Sequence, residues 1–134
     1  MPRIPIDWLA DHVAVPADLT AEQLAADLVK VGLEEEEIHR SDVTGPIVVG
    51  KVLTNVKEEQ SNGKTINYSR VDVGSHNDAP GEGKETSDID SRGIICGAHN
   101  YEVGDYVVVA LPGAILPGDF QISARKTYGH ISDG

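Results

Sequence analysis

Hydrophobic and polar positions follow two different rhythms along this chain, and the change falls near residue 40. Before it, Leu24, Leu28 and Val31 recur at i, i+4 and i+7, which gives a helix one apolar face. Thr20 stands three residues ahead of Gln23, a capping-box spacing, with Leu19 and Leu24 placed to staple the entry. Gly32 sits where a left-handed residue would close that helix. A shorter helix is expected around Trp8, Leu9 and Val13, capped by Asp7. Few large apolar groups occur in residues 1–40, so this segment reads as an incomplete small helical domain rather than an independent core.

From Gly45 onward the period is 2 and β-branched residues dominate. Ile47–Val56 is the first expected strand, with Gly50 inside it as a bulge. Ser61-Asn62-Gly63 is a hairpin turn leading into a second strand, Thr65–Val73. Residues 75–91 contain one large apolar residue, Ile89, and read as a mobile acidic loop that cannot offset its ordering entropy. Gly93–Cys96 is the third strand. Tyr106–Leu111 is the fourth, and its unbroken apolar run implies burial on both faces. Phe120–Ala124 is the fifth. Five short strands without long helices predict a mainly β fold: a small barrel, of which a five-stranded OB-fold is one solution, over residues 41–134, preceded by the helical segment.

Charge narrows the partners. The 134 residues carry 11 lysines and arginines against 22 carboxylates, a net of −11. Residues 1–40 account for −6 and residues 75–91 for −4, which leaves −1 for the other 77. A strong electrostatic footprint for nucleic acid is therefore absent, and only a weakly basic face is available on the β part. No apolar run approaches the roughly 18 residues of a membrane helix, and the first residues lack the apolar block of a secretory signal. Cys96 is the single cysteine, which excludes an internal disulfide and suits a reducing compartment. A cytoplasmic protein without membrane or DNA partners is expected. The closing Ser132-Asp133-Gly134 falls within a turn-like motif, so the sequence reads as a piece of a longer chain.

Motifs for catalysis are missing from the sequence. Gly81-Glu82-Gly83-Lys84-Glu85 lacks the Ser or Thr that must follow the lysine of a phosphate loop. Cys96 and His99 have metal-ligand spacing without a second pair. No serine sits in a Gly-x-Ser-x-Gly elbow. Binding chemistry is better represented. Arg70, Arg92, Arg125, Lys126 and the amide of Asn100 could meet phosphates and bases, with Tyr68, Tyr101 and Tyr128 as stacking groups.

The order Ile95-Cys96-Gly97-Ala98-x-Asn100, Val103-Gly104-Asp105, Val107–Ala110, Gly113-Ala114-x-Leu116-Pro117 and Lys126-x-x-Gly129-x-x-Ser132-x-Gly134 runs through the last third of the chain. Ile6-Asp7-Trp8-Leu9, Val31-Gly32-Leu33-Glu34, Gly50-Lys51-Val52 and Val71-Asp72-Val73-Gly74 extend it toward the start. Together they resemble the beginning of the bacterial phenylalanyl-tRNA synthetase β subunit, including its OB-fold tRNA-binding domain. The resemblance implies a phenylalanine–tRNA ligase of two α and two β chains that uses ATP and magnesium and acts on tRNA(Phe). It also implies that the catalytic centre lies in the α chain and the editing site later in the β chain, so this segment needs no cofactor of its own. Similar domains occur as stand-alone tRNA-binding modules and at the tail of some methionyl-tRNA synthetases. By motif, Asn100 and Ser132 match the RNA surface proposed for those relatives; Arg70, Arg92, Arg125 and Lys126 are added on charge. Two roles are open at this point: a tRNA-binding module, or an assembly module that packs within the β subunit.

Overall fold

The computed structural model describes residues 2–134, which form two compact units dividing between Ser41 and Asp42. The first unit holds helix α1 (Ile6–Ala10) and helix α2 (Ala21–Lys30). The expected capping box is present at α2: the Gln23 amide donates to Thr20 Oγ1 at 3.2 Å, and the Thr20 amide donates to Gln23 Oε1 at 2.9 Å. The helix ends as its glycine predicts. Leu33 N–H returns to Leu28 O and Gly32 N–H to Val29 O, both at 3.0 Å, a Schellman closure. Asp7 does not cap α1. Pro5 holds that position without a side-chain bond, and Asp7 lies in the first turn, where its charge meets the positive end of the helix.

The second unit is mainly β. Its sheet has the order β3-β2-β1-β4, built from β1 (Ile47–Glu59), β2 (Thr65–Asp72), β3 (Arg92–Cys96) and β4 (Tyr106–Ala110), with every neighbouring pair antiparallel. Two short ribbons follow: β5 (Ile115–Leu116) with β6 (Phe120–Gln121), and β7 (Arg125–Thr127) with β8 (His130–Ser132). The expected fifth strand thus shrinks to two residues, and a hairpin not foreseen in the sequence follows it. The sheets are open, since no ladder joins β3 to β4. Ser132–Gly134 nevertheless approaches both edges. The Asp133 amide donates to Gly93 O at 2.9 Å, and a Cβ on Gly134 would lie 3.0 Å from Ile94 Cδ1 and 3.4 Å from Ala110 O.

β1 is long because it serves two partners. Its first half pairs with β4 and its second half with β2, and the register slips between Val52 and Thr54 rather than at Gly50. Gly50 has a packing role instead. A Cβ there would stand 2.6 Å from Val71 Cγ1, 3.0 Å from Val109 Cγ2 and 3.1 Å from Asp72 O. Val71 and Val109 belong to the core, with Val73 and Leu111, and Val48, Ile94 and Val107 pack against them. Gly50→Ala therefore overpacks the centre of the sheet and is expected to cost about 2 kcal/mol, read as a lower urea midpoint at unchanged m-value.

The apolar run of β4 is not buried on both faces. Val109 is buried, while Tyr106 and Val108 are 73% and 76% exposed. β4 is a sheet edge. Its outward residues pair with Val49 and Lys51 of β1, so Val49, Tyr106 and Val108 form one apolar outer face, with Lys51 Nζ 5.8 Å from the Tyr106 ring centre.

Candidate nucleic-acid interface

The sequence nominated six residues, and the fold separates them. Arg70 is 6% exposed, on β2. Its Nε donates to Ser91 Oγ at 2.9 Å and its Nη2 to Ser91 O at 3.1 Å. Its Nη1 donates to Glu85 O at 3.0 Å and to Tyr68 Oη at 3.3 Å. Gly93 on the adjacent strand leaves the space for this: a Cβ there would lie 2.5 Å from Tyr68 Oη and 2.8 Å from Arg70 Nη1. A guanidinium turned inward and shared among four acceptors is not a surface cation, and the 75–91 segment is what it holds. Arg92 is also engaged, donating to Asp133 Oδ2 at 2.6 Å and to His76 O at 2.6 Å. Ser132 Oγ accepts the Ile95 amide at 3.0 Å and donates to Gly134 O at 2.9 Å. That hydroxyl ties β8 to β3.

Asn100 is exposed, on the loop after β3, at the rim of a cavity of about 470 Å³ also lined by Cys96, Tyr101 and Val107. The loop is anchored to β2. Asn67 Nδ2 donates to Ala98 O and lies 3.2 Å from His99 Nδ1, and the hydroxyls of Tyr101 and Ser69 are 2.9 Å apart. Arg125 and Lys126 are both exposed on β7. Strand alternation turns neighbouring side chains to opposite faces, so the two cations do not act on one surface. Arg125 and Ser132 line a second, smaller cavity of about 220 Å³ together with Phe120, Ile122 and Ser123.

Phe120 is the residue that sequence reasoning missed. It is 51% exposed, and the Arg125 guanidinium lies 5.7 Å from its ring centre. Arg125 Nε donates to Ser123 Oγ at 3.2 Å, which aims the guanidinium along the ribbon. An exposed aromatic face beside a free cation can stack a base and meet its phosphate. Of the tyrosines named from the sequence, Tyr68 and Tyr101 are committed within the fold, and Tyr128 stays partly exposed at the tip of the β7–β8 hairpin.

A second cluster lies behind that hairpin. The His130 ring stacks on Tyr68 with centroids 3.9 Å apart and planes 10° from parallel. Its Nδ1 is 2.6 Å from Glu85 Oε1 and its Nε2 is 3.0 Å from Glu58 Oε1, while Glu85 Oε2 accepts the Ile131 amide at 2.5 Å. The Glu85 hydrogen bond raises the His130 pKa above its ordinary 6.5; burial opposes this and Glu58 adds to it. Burial works against the Glu85 carboxylate, but the bonds from His130 and Ile131 outweigh it and hold its pKa below the ordinary range. Among the described residues no group of three or more His, Cys, Asp or Glu is arranged to hold a metal ion. No helix among them is long and apolar enough to cross a membrane.

Comparison with known proteins decides the family. The chain is 64% identical, over all of its length, to the phenylalanine–tRNA ligase beta subunit of Bifidobacterium longum. It is 51% and 48% identical, over 98% of its length, to those of Thermobifida fusca and Cutibacterium acnes. The chain belongs to the phenylalanine–tRNA ligase beta-subunit family. It spans about 15% of the length of the Bifidobacterium and Thermobifida relatives, so it corresponds to one segment of a beta subunit. No protein-family model matches it. As a beta-subunit segment, it displays one exposed cation–aromatic pair on its β5–β8 ribbons and keeps Arg70 and Arg92 for its own architecture.

Proposed function

We propose that this segment is an accessory tRNA-binding module of a cytoplasmic phenylalanine–tRNA ligase, with Phe120 and Arg125 as the contact pair. The observation that carries the reading is the exposed Arg125 guanidinium over the Phe120 ring. Family membership adds the ligand class, since the relatives' name is that of a tRNA ligase. Asn100 is the remaining exposed member of the proposed surface, with Lys126 a secondary contact from the opposite face of the hairpin; Ser132 sets the position of β8 within it. In this reading the open sheet and its two ribbons are an OB-type barrel over residues 41–134. Residues 1–40 are then a small helical domain completed elsewhere in the parent chain. Aminoacylation of tRNA(Phe) with ATP and magnesium belongs to the parent enzyme with its α subunit, and no step of it is assigned to these residues.

Salt dependence tests the proposal. Each phosphate neutralised by a cation contributes a slope of roughly −0.7 to −0.9 in log affinity against log salt. With Arg125 as the main contacting cation and Lys126 on the other face, a shallow slope of about −1 is expected for tRNA(Phe). No affinity at low salt would overturn it.

A second reading rests on the outer face of Val49, Tyr106 and Val108, whose exposure suits protein packing better than phosphate. There the segment is an assembly module of the beta subunit. It predicts that replacements on this face impair assembly and leave tRNA affinity intact.

A further inference from the structure

We propose that His130, held as an imidazolium between Glu85 and Glu58, is the residue that positions the β7–β8 hairpin against the sheet and the 75–91 segment. A neutral imidazole offers one N–H and one lone pair. Both ring nitrogens here face carboxylate oxygens, at 2.6 Å and 3.0 Å. A lone pair turned toward either carboxylate would be repelled, so the arrangement calls for protons on both nitrogens. The face of the ring lies on Tyr68, which adds a cation–aromatic contact to the two charged bonds.

The groups facing His130 come from three elements. Glu58 stands at the far end of β1, Tyr68 on β2 and Glu85 in the acidic segment, with Arg70 behind Tyr68, bonded to its phenol oxygen. Glu85 also holds the amide of the next hairpin residue, Ile131. The hairpin needs such a tie. It has three residue pairs and no other strand partner, and an isolated two-stranded ribbon of that size is marginal. Its other anchors, the Ser132 hydroxyl, the Asp133 amide and the Arg92–Asp133 pair, all lie at the β8 end. His130 is the anchor nearest the Tyr128-Gly129 turn, where both residues have positive φ and Tyr128 is strained.

A histidine whose folded pKa is raised contributes stability that is fully present below about pH 6.5 and is lost as pH rises through the folded value. The neutral ring loses one of its two carboxylate bonds and the charge assistance of the other, so the hairpin loosens from β1 and from Glu85 on the alkaline side. The functional consequence rests on the tRNA reading, because the hairpin carries Arg125 and Lys126; the positioning role does not.

The experiment is an NMR titration of the imidazole nitrogens of the 134-residue chain, with amide exchange of Ile131 followed in parallel. His130 is expected to keep protons on both nitrogens to a higher pH than a free histidine does. Protection of the Ile131 amide, corrected for base catalysis, is expected to fall about tenfold with the same midpoint, the scale of one charge-assisted bond. Glu85→Gln should bring the titration back toward the ordinary value. A His130 that titrates no higher than a free histidine overturns the proposal, and so does a titration that leaves Ile131 protection unchanged. tRNA(Phe) affinity measured on the same samples judges the interface reading separately: its absence sinks that reading alone.

Discussion

Arg70→Ala is expected to lower the stability of the 42–134 unit by about 3 kcal/mol while leaving any affinity of the folded chain for tRNA unchanged. The guanidinium gives four hydrogen bonds inside the fold, two of them to backbone carbonyls of Glu85 and Ser91. Truncation strips those carbonyls of their donor, and a buried unpaired acceptor costs about 1–3 kcal/mol. Lysine cannot replace it, because one ammonium does not reproduce a planar fork reaching Ser91 and Glu85 together. All four tyrosines lie in this unit and the one tryptophan, Trp8, in the other, so tyrosine near-UV signals follow the right transition during urea unfolding. A change below 0.5 kcal/mol, within the scatter of surface substitutions, would mean that Arg70 is not the internal clamp the geometry makes it.

The double replacement Phe120→Ala with Arg125→Ala is expected to act in the opposite way. Neither side chain is buried, and the one internal bond Arg125 makes is to Ser123 Oγ, so the fold should survive. Base stacking on an aromatic contributes about 1–3 kcal/mol, and one lost phosphate contact flattens the salt slope by a little under 1. Affinity for tRNA(Phe) should drop by about tenfold to a hundredfold at low salt. Unchanged affinity, together with failed beta-subunit assembly on Val49→Glu and Val108→Glu, would favour the packing role.

Local signals were legible: Thr20 with Gln23, Gly32 after α2, and the Asn62-Gly63 turn each act within a few residues. Strands β1 to β3 were legible from β-branched periodicity, and β4 as a short apolar run. What could not be read depends on distant partners. Arg70 looks like any surface cation until the chain returns 15 and 21 residues later with Glu85 and Ser91. His130 meets carboxylates 45 and 72 residues away. The run Tyr106–Ala110 is apolar throughout, so its pattern hides which side is covered, and only its edge position leaves Tyr106 and Val108 exposed. Phe120 falls in the stretch expected as the fifth strand, which forms only a two-residue ribbon, too short for alternation to show which face it turns outward.

The most direct measurement of the central claim is the footprint of tRNA(Phe) on the backbone amides of the 134-residue chain, mapped by chemical-shift changes in a titration at low salt. The account predicts changes concentrated at Phe120–Gln121 and Arg125–Thr127, with weaker ones near Asn100. Changes centred on Val49, Tyr106 and Val108, or none at all, would contradict it.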